Sequence, residues 1–407
     1  MSSDISIRII GSKLPLYHLI GLYWFCIYDI KAPNILKYLR YELLMSLVLG
    51  LYFSFISPWD DVFASERQWN QAAVGRSITA LIKISLNIVL TIGLYKFLKT
   101  HKVTIGLLKK TLFLVLTICV IIGLIDMVSG HMLRSIILEP VTLVQLQNRF
   151  IGLAHEPKAF GRGLGCSLLL MLAVFFHTRY KVRKITIYFI IFAIIVSSSA
   201  STFIALCGSL LASAFFFRGK LLKKVSVILF LLIGLLFLAY PIIKNNVTLQ
   251  NAGTKVVTVF QGNQERQMAN ELIFFTRMEV FDRAAINFFY NQPKFLVFGT
   301  GPNLISIPSS IYMDESARQV LGQFLVGGPA MGSMSLISRS GVTGFLIYVV
   351  FFIRLGILLN KTRYQVYSHF ILVSFFIFYC FNQNPFLFLA IAHVLAIAKK
   401  SKKIKRS

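Results

Sequence analysis

FILVSFFIFYCFNQNPFLFLAIAHVLAIAKKSKKIKRS, residues 370–407, carries the pattern from which the fold is read. Two apolar runs flank a short polar joint at Asn382, Gln383 and Asn384, and the second run stops at six lysines and arginines within nine residues. A helix that crosses a bilayer needs about 20 mostly apolar residues, and cytoplasmic loops and tails are enriched in Lys and Arg. The stretch therefore reads as two membrane helices followed by a basic tail on the inside.

The same alternation runs back to the N-terminus. Eleven apolar segments are expected to span, at 14–30, 41–57, 77–98, 111–129, 163–177, 185–199, 201–217, 225–243, 341–359, 366–381 and 384–398. The sixth and seventh meet at the serine-rich join Ser197–Thr202, which demands a tight break or a protein-lined cavity, because unpaired backbone is not tolerated against lipid. Composition agrees: 56% of the 407 residues are hydrophobic and only 14% charged, with a mean hydropathy of +0.73. Soluble domains carry about 25% charged residues, so a soluble enzyme and a disordered chain are both excluded. The formal charge of +27 does not indicate a nucleic-acid partner, because the basic residues cluster between apolar runs. No cleavable signal peptide is apparent. The five cysteines lie in apolar runs without a CxxC pair, as buried hydrophobes do rather than metal ligands.

Charge on alternate loops sets the orientation. Segments 31–40, 96–110, 178–184, 218–224, 360–365 and 399–407 hold 24 Lys/Arg and no acid; segments 58–76, 126–162 and 244–340 hold 14 Lys/Arg and 12 acids. The first set is assigned to the cytoplasm, which with eleven spans puts the N-terminus outside. The expected fold is an all-α polytopic membrane protein of about 11–12 transmembrane helices. Its organisation is an N-terminal bundle (1–243), a large outer loop (244–340), C-terminal spans (341–398) and a basic tail (399–407). Within the outer loop, apolar spacing from Gln264 to Phe289 predicts an amphipathic helix ended by Pro293, and Gly299-Thr300-Gly301-Pro302-Asn303 marks a turn.

HExxH, P-loop and Ser-His-Asp patterns are absent, and Gly161, Gly163 and Gly165 lack the preceding strand that a dinucleotide site requires. Arginine does stand out. The outer segments hold ten, including Arg162, Arg277, Arg283 and Arg339, against four lysines, whereas the cytoplasmic loops are mostly lysine. Topology accepts either residue; arginine is preferred where an anion is gripped by a planar fork. An anionic ligand such as a lipid phosphate or pyrophosphate is expected at the outer face, with surface salt bridges such as Glu279 with Arg283 as the plainer alternative. A second constellation is His155-Glu156-Pro157-Lys158 followed by Arg162, where His155 or Glu156 is a candidate general base. The alternative there is an interfacial loop whose cations reach headgroups. Lys83, Arg354 and Asp126 are charges in or at the ends of spans, for which snorkelling or structural pairing is the simpler account.

Three segments, in this order, resemble the bacterial O-antigen polymerase (Wzy-type) family within the O-antigen ligase and polysaccharide polymerase superfamily. GLAHEPKAFGRG (152–163) is similar to the Glu-Pro motif ahead of a span. TRMEVFDRAAINFFYNQPKFLVFGTGPN (276–303) is similar to an Arg-led helix followed by a glycine turn. SLISRSGVTGFLIYVVFF (335–352) is similar to the segment entering the span after the large periplasmic loop. The chain departs from the ligases in having no histidine in 244–340, with Ala330-Met331-Gly332-Ser333 in that region, and in reading SSSAST at the middle break. Both differences favour a polymerase over a ligase.

The resemblance implies a GT-C-like membrane glycosyltransferase in the bacterial inner membrane. Its site would face the periplasm and its partners would be polyprenyl-pyrophosphate-linked oligosaccharide donor and acceptor, with a chain-length regulator as a further partner and no metal or other cofactor. Glu156, His155 and Arg277 are then the catalytic candidates, and Arg162, Lys158, Arg283, Arg339 and Asp282 the candidates for binding pyrophosphate or glycan. Glu139, Glu279 and Asp282 remain further candidates for the base. Glu156 is favoured because Pro157 keeps it out of the helix and Lys158 and Arg162 favour its ionised form. An O-antigen ligase and a lipid-linked oligosaccharide flippase are the alternatives; a flippase should show internal repeats and midplane polar sites, and none is seen.

Overall fold

Gly21 and Gly93 lie 72 positions apart, yet they bring two backbones into contact: a Cβ added to Gly93 would strike the carbonyl of Gly21, and one added to Gly21 would lie 2.7 Å from Leu90 Cα. Close crossings at small residues are a principal way for helices to associate in lipid, where no hydrophobic effect drives them together. The computed structural model in which this crossing is seen describes residues 6–9, 12–55, 67–129, 157–178, 181–196, 200–216, 278–302, 304–312, 329, 331–360, 362 and 364–398.

Ten of the eleven predicted spans fall on helices: α1 (Leu16–Ile27), α2 (Lys37–Phe55), α3 (Arg67–Thr100), α4 (Ile105–Val128), α5 (Pro157–His177), α6 (Lys184–Val196), α7 (Ala200–Phe216), and, further on, α11 (Gly332–Leu359), α12 (Gln365–Phe381) and α13 (Phe386–Ile397). Segment 225–243 lies outside the described residues, as do most of the two outer loops and the basic tail. Four helices are long and apolar enough to cross a membrane, within Ser77–Thr100, Ile105–Asp126, Phe160–His177 and Gly332–Leu359, and five further apolar helices are shorter. The chain is a helical membrane protein. One addition to the all-α expectation is a short antiparallel hairpin ahead of α1, β1 (Ser6–Ile9) with β2 (Ser12–Pro15), pairing Ile7 with Leu14 and Arg8 with Lys13.

Between α7 and α11 the structure describes α8 (Met278–Asn291), α9 (Pro293–Phe298) and the single turn α10 (Ser306–Ser309). The part of the predicted amphipathic helix that is described, from Met278 on, is α8, which ends ahead of Pro293; residues 264–277 lie outside the described residues. Pro293 then opens α9 at its first position, where its missing N–H is not needed. Phe288, Phe289, Phe295, Leu304 and Ile305 form a small core of their own between these pieces.

The main core lies around α12 and α13. Ten of the twelve residues of α13 are buried, as expected of a helix that is apolar on every side. By contrast α4 exposes Phe113, Leu114, Val115, Ile118, Ile121 and Ile125, the surface a lipid-facing helix requires. Helix directions follow from the contacts. His18 meets Asn87, Phe25 meets Lys96 and Tyr28 meets His101, at separations of 69, 71 and 73 residues, so α1 and α3 run parallel, as two odd-numbered spans must. Among the described residues, lysine-bearing turns follow α1 and α3 at this C-terminal end, where Lys109 Nζ also reaches the carbonyl of Lys181.

α11 is broken near its start. Gly341 has φ 66° and ψ −174° inside it, a conformation essentially restricted to glycine. Such a break strips backbone carbonyls of their helical partners, and buried carbonyls require replacements. The glycine turn after α9 provides them: Thr300 N–H donates to Ser338 O at 2.7 Å, Thr300 Oγ1 to the same oxygen at 2.9 Å, and Gly301 N–H to Arg339 O at 3.2 Å. Gly299 and Gly301 both have positive φ, and a Cβ on Gly299 would lie 2.6 Å from Gly341 N. The turn that the sequence predicts is thus docked against the break in α11.

Candidate functional site

A cavity of about 460 Å³ opens at the end of the bundle opposite the lysine-rich turns. Its walls come from the N-terminal parts of α1 (Tyr17, His18), α5 (Arg162) and α11 (Ser335, Ser338, Arg339), from the middle of α3 (Thr79, Lys83, Asn87), from Pro302 and Ile305 beyond the glycine turn, and from Tyr379, Gln383 and Asn384 where α12 passes into α13. Chain polarity explains the convergence: helices of one direction begin, and those of the other end, on the same side. Among the described residues that line it are the cations Lys83, Arg162 and Arg339 and no carboxylate.

Each arginine is held by a distinct device. α5 begins at Pro157, earlier than the apolar pattern predicts, because Pro157 suits the first helical turn and the helix runs past the apolar window that starts at Phe160. Arg162 is therefore one and a half turns inside a helix rather than in a loop. Its Nη1 donates to Gln383 O at 2.9 Å, a carbonyl exposed by the break between α12 and α13. That break is itself tied by Asn384, which accepts from Phe386 N–H at 3.0 Å and donates to Asn382 O at 2.6 Å. Non-helical backbone at membrane depth is tolerated because it is enclosed by protein, and Asn382 and Asn384 are both buried.

Arg339 sits in the short N-terminal piece of α11 and not in a free loop. Its Nε donates to Glu42 Oε1 at 2.6 Å, and its Nη2 lies 3.4 Å from Tyr348 Oη. Glu42, fully buried in α2, also accepts from Ser46 Oγ at 2.9 Å and Ser340 Oγ at 3.3 Å. A guanidinium has five N–H donors in a rigid fork. The carboxylate engages the Nε edge and so sets the plane of the fork in the cavity wall.

Of the other predicted site residues, Asp282 and Arg283 lie on α8 and do not line the cavity. Asp282 Oδ1 is 3.4 Å from Met331 N–H at the start of α11, where a carboxylate complements the helix dipole, so it anchors the loop helix to the span. Lys158 is in the first turn of α5, and His155, Glu156, Glu139 and Arg277 lie outside the described residues. Arg354 is exposed on α11, and Asp126 is buried at the end of α4; neither lines the cavity.

Sequence reasoning overlooked Glu42, His18 and Asn87. The signal for the first two was present, since an ionisable residue inside an apolar run is a functional candidate by default. Glu42 lies within the segment 41–57 and His18 within 14–30. His18 is 3% exposed, its Nε2 is 2.9 Å from Asn87 Oδ1, and its Nδ1 has no hydrogen-bond partner among the described residues.

No family model matches the chain, and no curated protein or solved structure matches it.

Proposed function

We propose that the chain is a membrane glycosyltransferase that polymerises polyprenyl-pyrophosphate-linked oligosaccharide repeat units at the periplasmic face of the bacterial inner membrane. One observation carries the reading: the three segments that resemble the O-antigen polymerases meet around one cavity, 152–163 through Arg162, 276–303 through the glycine turn at Pro302, and 335–352 through Arg339. In this reading the growing glycan leaves its lipid pyrophosphate for a hydroxyl of the next repeat unit. Negative charge grows on the departing pyrophosphate, and preorganised arginines in a site screened from water lower that barrier most effectively. Arg162 and Arg339, fixed by Gln383 O and Glu42, are the groups assigned to it, with Lys83 adding charge. The GT-C-like architecture belongs to the same proposal.

The decisive experiment is purified protein in vesicles with defined lipid-linked repeat units already on the face that the cavity opens to. A ladder of glycan lengths supports the polymerase. Transfer of glycan to a different lipid acceptor supports a ligase, and translocation without extension a flippase. Arg162→Lys should insert normally yet extend glycan about 100-fold more slowly, because a point charge does not replace a fork held by a carbonyl; wild-type extension by R162K would remove Arg162 from the site. The orientation is checked separately. A reporter fused after Lys399 should behave as cytoplasmic, and an exported reporter would place the cavity on the wrong side.

A further inference from the structure

The arginines account for the leaving group and leave the acceptor hydroxyl without a proton acceptor. We propose that His18 takes that proton, with Asn87 as its positioning residue; this rests on the glycosyltransferase reading above.

His18 lies in the cavity wall formed by α1 and α3, and the two arginines lie in the walls formed by α5 and α11. Its ring is fixed. Asn87 Oδ1 can only accept, so the 2.9 Å contact assigns the proton to Nε2 and the lone pair to Nδ1. Among the described residues no donor reaches that lone pair, although His18 is 3% exposed. Buried acceptors are nearly always paired, and a ring held in one tautomer with its basic nitrogen unoccupied is the arrangement a general base requires. The mounting is rigid as well. One turn further along both helices, Gly21 packs against Leu90 and Gly93 backbone to backbone, so the α1–α3 spacing that sets the His18–Asn87 distance is fixed by contact. Among the described residues lining the cavity no carboxylate competes for the role.

The step balances without a co-reactant. The acceptor oxygen forms its bond to the anomeric carbon while its O–H bond breaks toward Nδ1, and the bond from that carbon to the pyrophosphate oxygen breaks with its electron pair leaving on the lipid pyrophosphate. His18 becomes an imidazolium and returns its proton to water before the next addition.

The test uses the full-length protein in vesicles with lipid-linked repeat units. His18→Gln should extend glycan at least about 100-fold more slowly with donor affinity within twofold of wild type. His18→Ala should be equally slow and should regain at least tenfold of its rate with added imidazole, which a tethering role for His18 would not produce. Asn87→Ala keeps the imidazole but frees its ring; it should lower turnover about tenfold at unchanged donor affinity, and it carries the test if the His18 variants fail to insert. Extension by H18Q or N87A within twofold of wild type overturns the assignment, as does a folded H18A that imidazole does not rescue. A wild-type protein that extends no glycan overturns the glycosyltransferase reading itself and this inference with it, whereas active wild type beside an active H18Q overturns this inference alone.

Discussion

Glu42→Leu and Arg339→Met should each yield a chain that fails to accumulate as folded protein, whereas E42L/R339M should accumulate and extend no glycan. Removing one member of a buried ion pair leaves the other charge uncompensated, at a cost of about 3–5 kcal/mol. Here the survivor would be an arginine 8% exposed or a carboxylate fully enclosed between α2 and α11. Replacing both by apolar groups of similar volume removes the desolvation cost along with the attraction, and such exchanges are often neutral. The pair therefore separates folding from function: the double variant regains the first and lacks the guanidinium needed for the second. Detergent-extracted yield and the thermal unfolding midpoint measure the fold, and the glycan ladder measures activity. Single variants as stable as wild type would contradict the ion pair, and a double variant with full activity would remove Arg339 from the site.

Gly341→Ala should be as damaging, by a different route. At φ 66° and ψ −174° an L-residue costs about 1–3 kcal/mol in backbone strain, and the added methyl would strike the carbonyl of Val297, adding about 1–3 kcal/mol of overpacking. The α9 turn would be pushed off the broken helix, and the carbonyls of Ser338 and Arg339 would lose their donors. Gly356→Ala is the control in the same helix, since a methyl there meets only the His369 ring, at 3.7 Å from Nε2 and 3.9 Å from Cδ2, and should leave the unfolding midpoint within a few degrees. A G341A variant as stable as G356A would show that the break does not need glycine.

The spans were legible because apolar run length is a local property, and ten of them fall on helices, although α3 and α11 begin ten and nine residues ahead of the apolar runs. Their ends were less so: the start of α5 is set by Pro157 rather than by hydropathy, and that places Arg162 on a helix instead of in a loop. The glycine turn could be read from Gly299 and Gly301, but not its docking, which needs the break at Gly341 some forty residues away. The cavity was half legible. Arg162 and Arg339 stood out as arginines at the outer side, whereas Glu42 was marked only as an ionisable residue within the apolar run 41–57, with nothing to name its partner. Its pairing with Arg339 spans 297 residues, and no local period encodes a contact of that kind. His18 reads as one polar residue in an apolar run until Asn87 is brought beside it by a crossing of two glycines 72 positions apart.

The cavity's size has a consequence for the polymer on the proposed reading. About 460 Å³ is the volume of a site for one drug-sized molecule, enough for the two sugars that react and the phosphate being displaced. Everything already made must hang outside, so each addition takes place without any record of those before it. The cavity itself then offers no yardstick: within it, the tenth repeat is indistinguishable from the hundredth. On that reading the spread of product sizes is set by how often the product leaves between additions, and a narrow spread requires something that grips the polymer outside the cavity.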